Sequence, residues 1–186
     1  QEHYQLYPLL KKPLHAYQNS GAWKFPERTE AWGLNQLAVH HGVAMGDLDQ
    51  DGDLDFVVNN LNDGAGVYRN EAAAGRVLVQ LKGRAPNTQG IGAKVTLVNG
   101  PVARQTTEII AGGRYLSGSE AVAMFATGGN TTNLALEVIW RNGAKSVLDG
   151  VQPNRLYEIE EKPAPPVTNV PAAVSAPWFK DVSDRL

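Results

Sequence analysis

Five aspartates occupy alternate positions in GDLDQDGDLDF, the stretch Gly46–Phe56: Asp47, Asp49, Asp51, Asp53 and Asp55. Like charges this dense repel one another, so the spacing asks for a cation. Calcium suits it, a hard ion that takes six to eight oxygens at about 2.3–2.6 Å, supplied by short loops from alternating positions. With Asp47 as position 1, carboxylates fall at positions 1, 3, 5, 7 and 9, and Gly52 stands at position 6, where a sharp turn is needed. The expected ligands are side-chain oxygens of Asp47, Asp49, Asp51 and Asp55, the main-chain carbonyl of Asp53, and water. Magnesium suits the run less well, because it prefers few protein ligands and retained water. An EF-hand is excluded, since its position 12 requires a bidentate Glu and Val58 stands there. The flanking FVVNN also reads as strand rather than helix. The plain alternative is a solvated acidic loop without a metal.

No other stretch carries comparable chemistry. His40 and His41 precede the run and could supply a base or an added ligand, although a histidine pair at a strand entrance more often packs or faces water. GAGVYRN (Gly64–Asn70) lacks the following helix that would hold a phosphate. Ser117 and Ser119 lie in AGGRYLSGSE without the G-x-S-x-G spacing of a nucleophile elbow. Trp23, Trp32, Trp140 and Trp178 could line a sugar platform, but scattered tryptophans in a β protein more often form core. Catalytic residues are therefore expected to be none.

The elements that must position the run read as all-β. Nineteen glycines, eleven prolines and short Val/Ile/Leu/Thr runs punctuate the chain. Strands are expected near Val43–Met45, Asp55–Asn59, Gly66–Tyr68, Arg76–Lys82, Ala93–Val98, Val102–Ile110, Ala121–Ala126, Leu134–Trp140 and Leu156–Glu160. Val95 and Leu97 should share one face, as should Leu134, Leu136, Val138 and Trp140. Asn99–Gly100 and Asn142–Gly143 are hairpin signals.

Four zones follow: 1–71 with the aspartate run, 76–161 with regular strands, a proline-rich linker over 162–177, and a strand-like tail over 178–186. The tail WFKDVSDRL echoes WKFPERTEAWGL (Trp23–Leu34), as a truncated repeat would. With Gln1 at its start and no apolar leader, the chain reads as a mature or excised piece. It is 42% hydrophobic and 19% charged, with a net charge of −2, which argues against nucleic acid as a partner. No apolar run approaches the roughly 18 residues of a membrane span. The absence of cysteine removes disulfides, thiolate catalysis and Cys-zinc sites together.

GVAMGDLDQDGDLDFVVNNLNDGAGVYRN (Gly42–Asn70) resembles the FG-GAP or VCBS-type repeat of β-propeller proteins, and NSGAWKFPERTEAWGL (Asn19–Leu34) resembles its preceding connector. Residues 76–161 resemble the ASPIC/UnbV domain of cartilage-acidic-protein-like proteins through VLVQLKG, NTQGIGAKVTLVNG, EIIAGGRYLSGSE and LEVIWRNGAKSVLDGVQPNRLYEIEE. MFATGG (Met124–Gly129) departs from the Phe-Gly-Leu-Gly frequent in that family. The resemblance implies a propeller-blade-like antiparallel sheet with a calcium loop, followed by a small β-sandwich or barrel-like domain. It also implies calcium as cofactor and a secreted, cell-surface or periplasmic location.

The expected function is a calcium-stabilised, non-enzymatic extracellular binding or adhesion module, a piece of a larger repeat protein. A filament or surface assembly through strand exchange, with itself or other chains as partners and WFKDVSDRL as the added strand, is the first alternative. A calcium-dependent polysaccharide-binding or polysaccharide-active protein is the second, with Glu108, Glu120 and Glu137 as available carboxylates.

Overall fold

The alternation in KVTLV and LALEVIW builds the core: Val95, Leu97, Leu134, Leu136 and Val138 are fully buried, with Trp140 almost so. The computed structural model describes residues 10–129 and 132–163, and none of them is helical. No helix among them is long and apolar enough to cross a membrane. The strands are β1 (His40–Gly46), β2 (Asp55–Asn60), β3 (Gly66–Tyr68), β4 (Arg76–Lys82), β5 (Lys94–Val98), β6 (Arg104–Glu108), β7 (Gly113–Arg114), β8 (Ser117–Gly118), β9 (Val122–Ala126), β10 (Leu134–Ile139), β11 (Lys145–Val151) and β12 (Arg155–Glu160).

Two sheets share one core. A four-stranded antiparallel sheet runs in the order β11-β10-β5-β6, and a three-stranded sheet in the order β12-β4-β9. Val77, Val79 and Leu81 of β4 and Ala123 and Phe125 of β9 join Val95, Leu97, Leu136 and Val138 in a single buried cluster. That is a sandwich. None of the sheets closes into a barrel, so the barrel-like form is set aside.

Both Asn-Gly pairs turn hairpins. Asn99 N–H donates to Ala103 O between β5 and β6, and Trp140 N–H donates to Ala144 O between β10 and β11. Strand β11 has no counterpart in the sequence reading. It lies at the sheet edge, mostly exposed, and Leu134 pairs with Val151 while Ala135 pairs with Asp149, leaving Gly150 as an extra residue. Edge exposure and this bulge erase the two-residue period. Last and first strands of the sandwich then meet: β12 runs parallel to β4 from Arg155↔Val77 to Glu160↔Lys82.

Before the sandwich, β1, β2 and β3 form a three-stranded antiparallel sheet. Among the described residues leading into it, the strand-like pairing is limited to isolated bridges, Lys12↔Ala38 and Tyr17↔Glu27. Trp23 is 93% exposed and Trp32 52%, so the core role expected of the tryptophans holds for Trp140 and not for these two. Trp178, the tail 178–186 and all of the linker except Lys162 and Pro163 lie outside the described residues.

On β10, Glu137 accepts a hydrogen bond from Arg104 Nη2 at 2.8 Å and lies 3.3 Å from Lys145 Nζ. Arg104 first, then Lys145, holds its carboxyl below the ordinary value of 4.5. A carboxylate lowered on folding stabilises above its unfolded value, and the contribution is lost as pH falls through the folded one. Glu137→Gln should therefore melt below the wild type at pH 7, and the gap should close on acidification below about pH 4.5. A gap of constant size from pH 7 to pH 3 would refute this.

Candidate metal site

The aspartate run is the connection between β1 and β2. Gly46 pairs with Asp55 and Met45 with Phe56, so the ladder clamps both ends of the loop. Beneath it Val58 is fully buried, and Phe56 stacks on Tyr68 with ring centroids 4.8 Å apart. Val58, the residue that excludes an EF-hand, is thus a core residue of the sheet. Gly52 has φ +91, a left-handed turn that an L side chain would strain.

The loop folds around its own carboxylates. Asp47 Oδ1 accepts from Asp51 N–H at 3.1 Å and its Oδ2 from Gly52 N–H at 3.0 Å. Asp55, 1% exposed, accepts from Leu48 N–H at 2.9 Å and Asn70 N–H at 2.8 Å. Asp51 Oδ1 accepts from Asp53 N–H at 3.1 Å. Asp47 and Asp55, held by these bonds, stand together with Asp49, each of the three with an oxygen within 4.8 Å of the other two. Oxygens on opposite sides of one calcium stand about 4.6–5.2 Å apart. The oxygen-only donor set and its spacing fit a single hard divalent ion.

Asp51 and Asp53 are placed differently, toward Arg76 at the start of β4. Arg76 Nη2 lies 3.2 Å from Asp51 Oδ1 and 3.1 Å from Asp53 Oδ2, and donates to Asp51 O at 3.0 Å. The Asp53 side chain is 2% exposed, and neither of its carboxylate oxygens makes a hydrogen bond, so its tie to Arg76 is one of charge. Burial pushes the Asp53 carboxyl up, Arg76 pulls it back, and Asp51, Asp55 and Asp49 add to the rise. The structure therefore groups three of the five aspartates and sets two against a guanidinium.

Several other residues surround the loop. Glu120 Oε2 accepts from Asp47 N–H at 3.1 Å. Arg69 Nη1 lies 3.9 Å from Asp49 Oδ2 while also pairing with Glu71. A cleft of about 480 Å³ runs beside the loop, with Asp51, Gly52, Arg76, Gln80, Glu120 and Asn154 among its walls. His40 Nδ1 hydrogen-bonds Asn60 Oδ1 at 2.7 Å, and Asn60 Nδ2 donates to Gly64 O, which ties β1 to the β2–β3 turn. Neither His40 nor His41 belongs to the three-carboxylate group. Sequence reasoning missed Arg76 because no local pattern links a strand's first residue to a loop so distant in the chain.

Together these residues define an all-β chain in which a two-sheet sandwich follows a three-stranded sheet bearing an acidic loop. Residues 83–166 match the family model described as ASPIC and UnbV. That span starts directly after β4 and takes in β5 to β12, so the central strand of the smaller sandwich sheet lies ahead of it. No curated protein matches the chain.

Proposed function

We propose that this chain is a calcium-stabilised, non-enzymatic extracellular binding or adhesion module, part of a larger protein of FG-GAP or VCBS-type propeller repeats. The observation that carries the reading is the convergence of Asp47, Asp49 and Asp55. Asp51, whose Oδ1 faces Arg76, would add its other carboxylate oxygen and Asp53 its carbonyl, as the spacing suggests, and water would complete the shell. The ion would neutralise like charges that otherwise repel one another across the β1–β2 connection, so its role is to stabilise rather than to react. Weak loops of this kind fill at the near-millimolar calcium of extracellular space, which supports a secreted, cell-surface or periplasmic location.

An ion that binds only the folded form stabilises by RT ln(1 + [Ca]/Kd), about 2.7 kcal/mol at a hundredfold excess over Kd. Calcium should raise the melting temperature, EGTA should reverse the rise, and Asp49→Ala should abolish it. An unchanged melting temperature under chelation, with no heat on calcium titration, would end this reading.

A second reading, surface assembly by strand addition, draws support from the edge of the first sheet that no described strand covers. Strand β3 has three residues, pairs on one side with β2, and leaves Val67 67% exposed. Light scattering separates the two, because a strictly monomeric particle at high concentration would rule assembly out.

A further inference from the structure

The sandwich grips the aspartate loop from two directions. At one end, the hairpin β7–β8 lies along β1: Ser117 Oγ donates to Val43 O at 2.5 Å, Met45 N–H donates to Ser119 Oγ at 3.1 Å, and Glu120 N–H donates to Met45 O at 2.8 Å. The approach is close, since a Cβ at Gly42 would stand 3.2 Å from Leu116 O. Glu120 then reaches the first residue of the loop through Asp47 N–H. At the other end stands Arg76, anchored by Nη1 to Ala72 O at 3.1 Å and by its backbone to Asn154. Leu78, two residues along β4 and outside the shared core, is only 4% exposed and lines the same cleft as Asp51 and Gly52. The outer face of β4 is therefore covered at Leu78.

Asp53 is the odd member of the run. Its carboxylate is buried, makes no hydrogen bond and takes no place among the three converging oxygens. A carboxylate withdrawn from water needs a cation beside it, and the guanidinium of Arg76 is a permanent one. We infer that Asp53 is a receptor through which the sandwich docks on the first sheet, with Arg76 as its partner. Its carboxylate is thereby taken up by Arg76, in keeping with the carbonyl role that the proposed function gives Asp53, and only this consequence rests on the calcium reading. Asp51 joins the two functions, since Arg76 holds its carbonyl while the loop turns back toward Asp47.

The test is a double-mutant cycle on the whole chain in EGTA. Its readout is elastase cleavage of the alanine-rich connection Glu71–Ala74, exposed between the two units. Arg76→Met should speed cleavage by about fivefold or more, because it leaves Asp53 buried without a cation. Adding Asp53→Asn should reverse most of that increase, since a neutral amide needs no counter-charge. Additive effects of the two changes would overturn the docking pair. Should Arg76→Met fail to fold, recovery of folding in the double variant supports the pair, and a double variant equally unfolded overturns it. Calorimetric calcium titration tests the rest: Asp53→Asn should keep Kd within about threefold of wild type while Asp49→Asn weakens it about tenfold or more. Equal losses in both would place the Asp53 carboxylate itself among the ligands. A wild type that takes up no calcium would refute the proposed function, and the elastase cycle would still decide the docking pair.

Discussion

Asp55→Ala is expected to lower the stability of the calcium-free chain by about 2–4 kcal/mol and to abolish the further gain from calcium. Asp55 is the best-buried member of the converging group, and its two oxygens cap the N–H groups of Leu48 and Asn70. Alanine leaves both donors without a partner at the mouth of the β1–β2 ladder. Hydrogen bonds to a charged acceptor contribute about 1.5–3 kcal/mol each, and the relief of repulsion among the remaining aspartates offsets part of the loss. Asp55→Asn separates the two effects. Its amide oxygen can keep one of the N–H bonds while the charge needed for calcium is gone. Urea unfolding in EGTA should therefore place Asn between wild type and Ala, and added calcium should move only the wild type. A calcium shift that survives in either variant would remove Asp55 from the site.

Trp140→Ala should destabilise the sandwich by about 3–5 kcal/mol, the usual range for deleting a buried aromatic side chain. Trp140 follows β10, is 3% exposed, and donates through Nε1 to Ser146 Oγ at 2.9 Å. A Cβ at Gly90 would stand only 3.3 Å from its ring, so this part of the core has no slack to refill a cavity. The midpoint of urea denaturation, followed by far-ultraviolet circular dichroism, reads the loss. A change under about 1 kcal/mol would show that the site collapses, contrary to the packing described.

The sandwich core was legible because strands facing a core alternate strictly. Val95 with Leu97, and Leu134, Leu136 and Val138 with Trp140, announce their faces without any knowledge of their partners. The two Asn-Gly turns are local chemistry and were equally readable. Strand β11 was not, because an edge strand with an extra Gly150 loses its period. The parallel pairing of β12 with β4 was hidden for another reason, as parallel register depends on where the intervening chain returns. The tryptophans show the limit of composition: Trp140 and Trp23 are the same residue type, and packing alone made one core and left the other 93% exposed.

The same division runs through the candidate site. Alternating carboxylates about a central glycine are a local pattern, so the sequence alone determined that residues 47–55 form a turn rich in oxygen donors and are no EF-hand. It also determined the two-residue periods from which an all-β chain follows. Which carboxylates meet was decided by the tertiary structure, since it alone brings β4 and the β7–β8 hairpin against the loop. Arg76 draws Asp51 and Asp53 to one side and leaves Asp47, Asp49 and Asp55 together on the other. Charge acts over a few ångströms of space without regard to separation along the chain, and only the folded packing sets that distance.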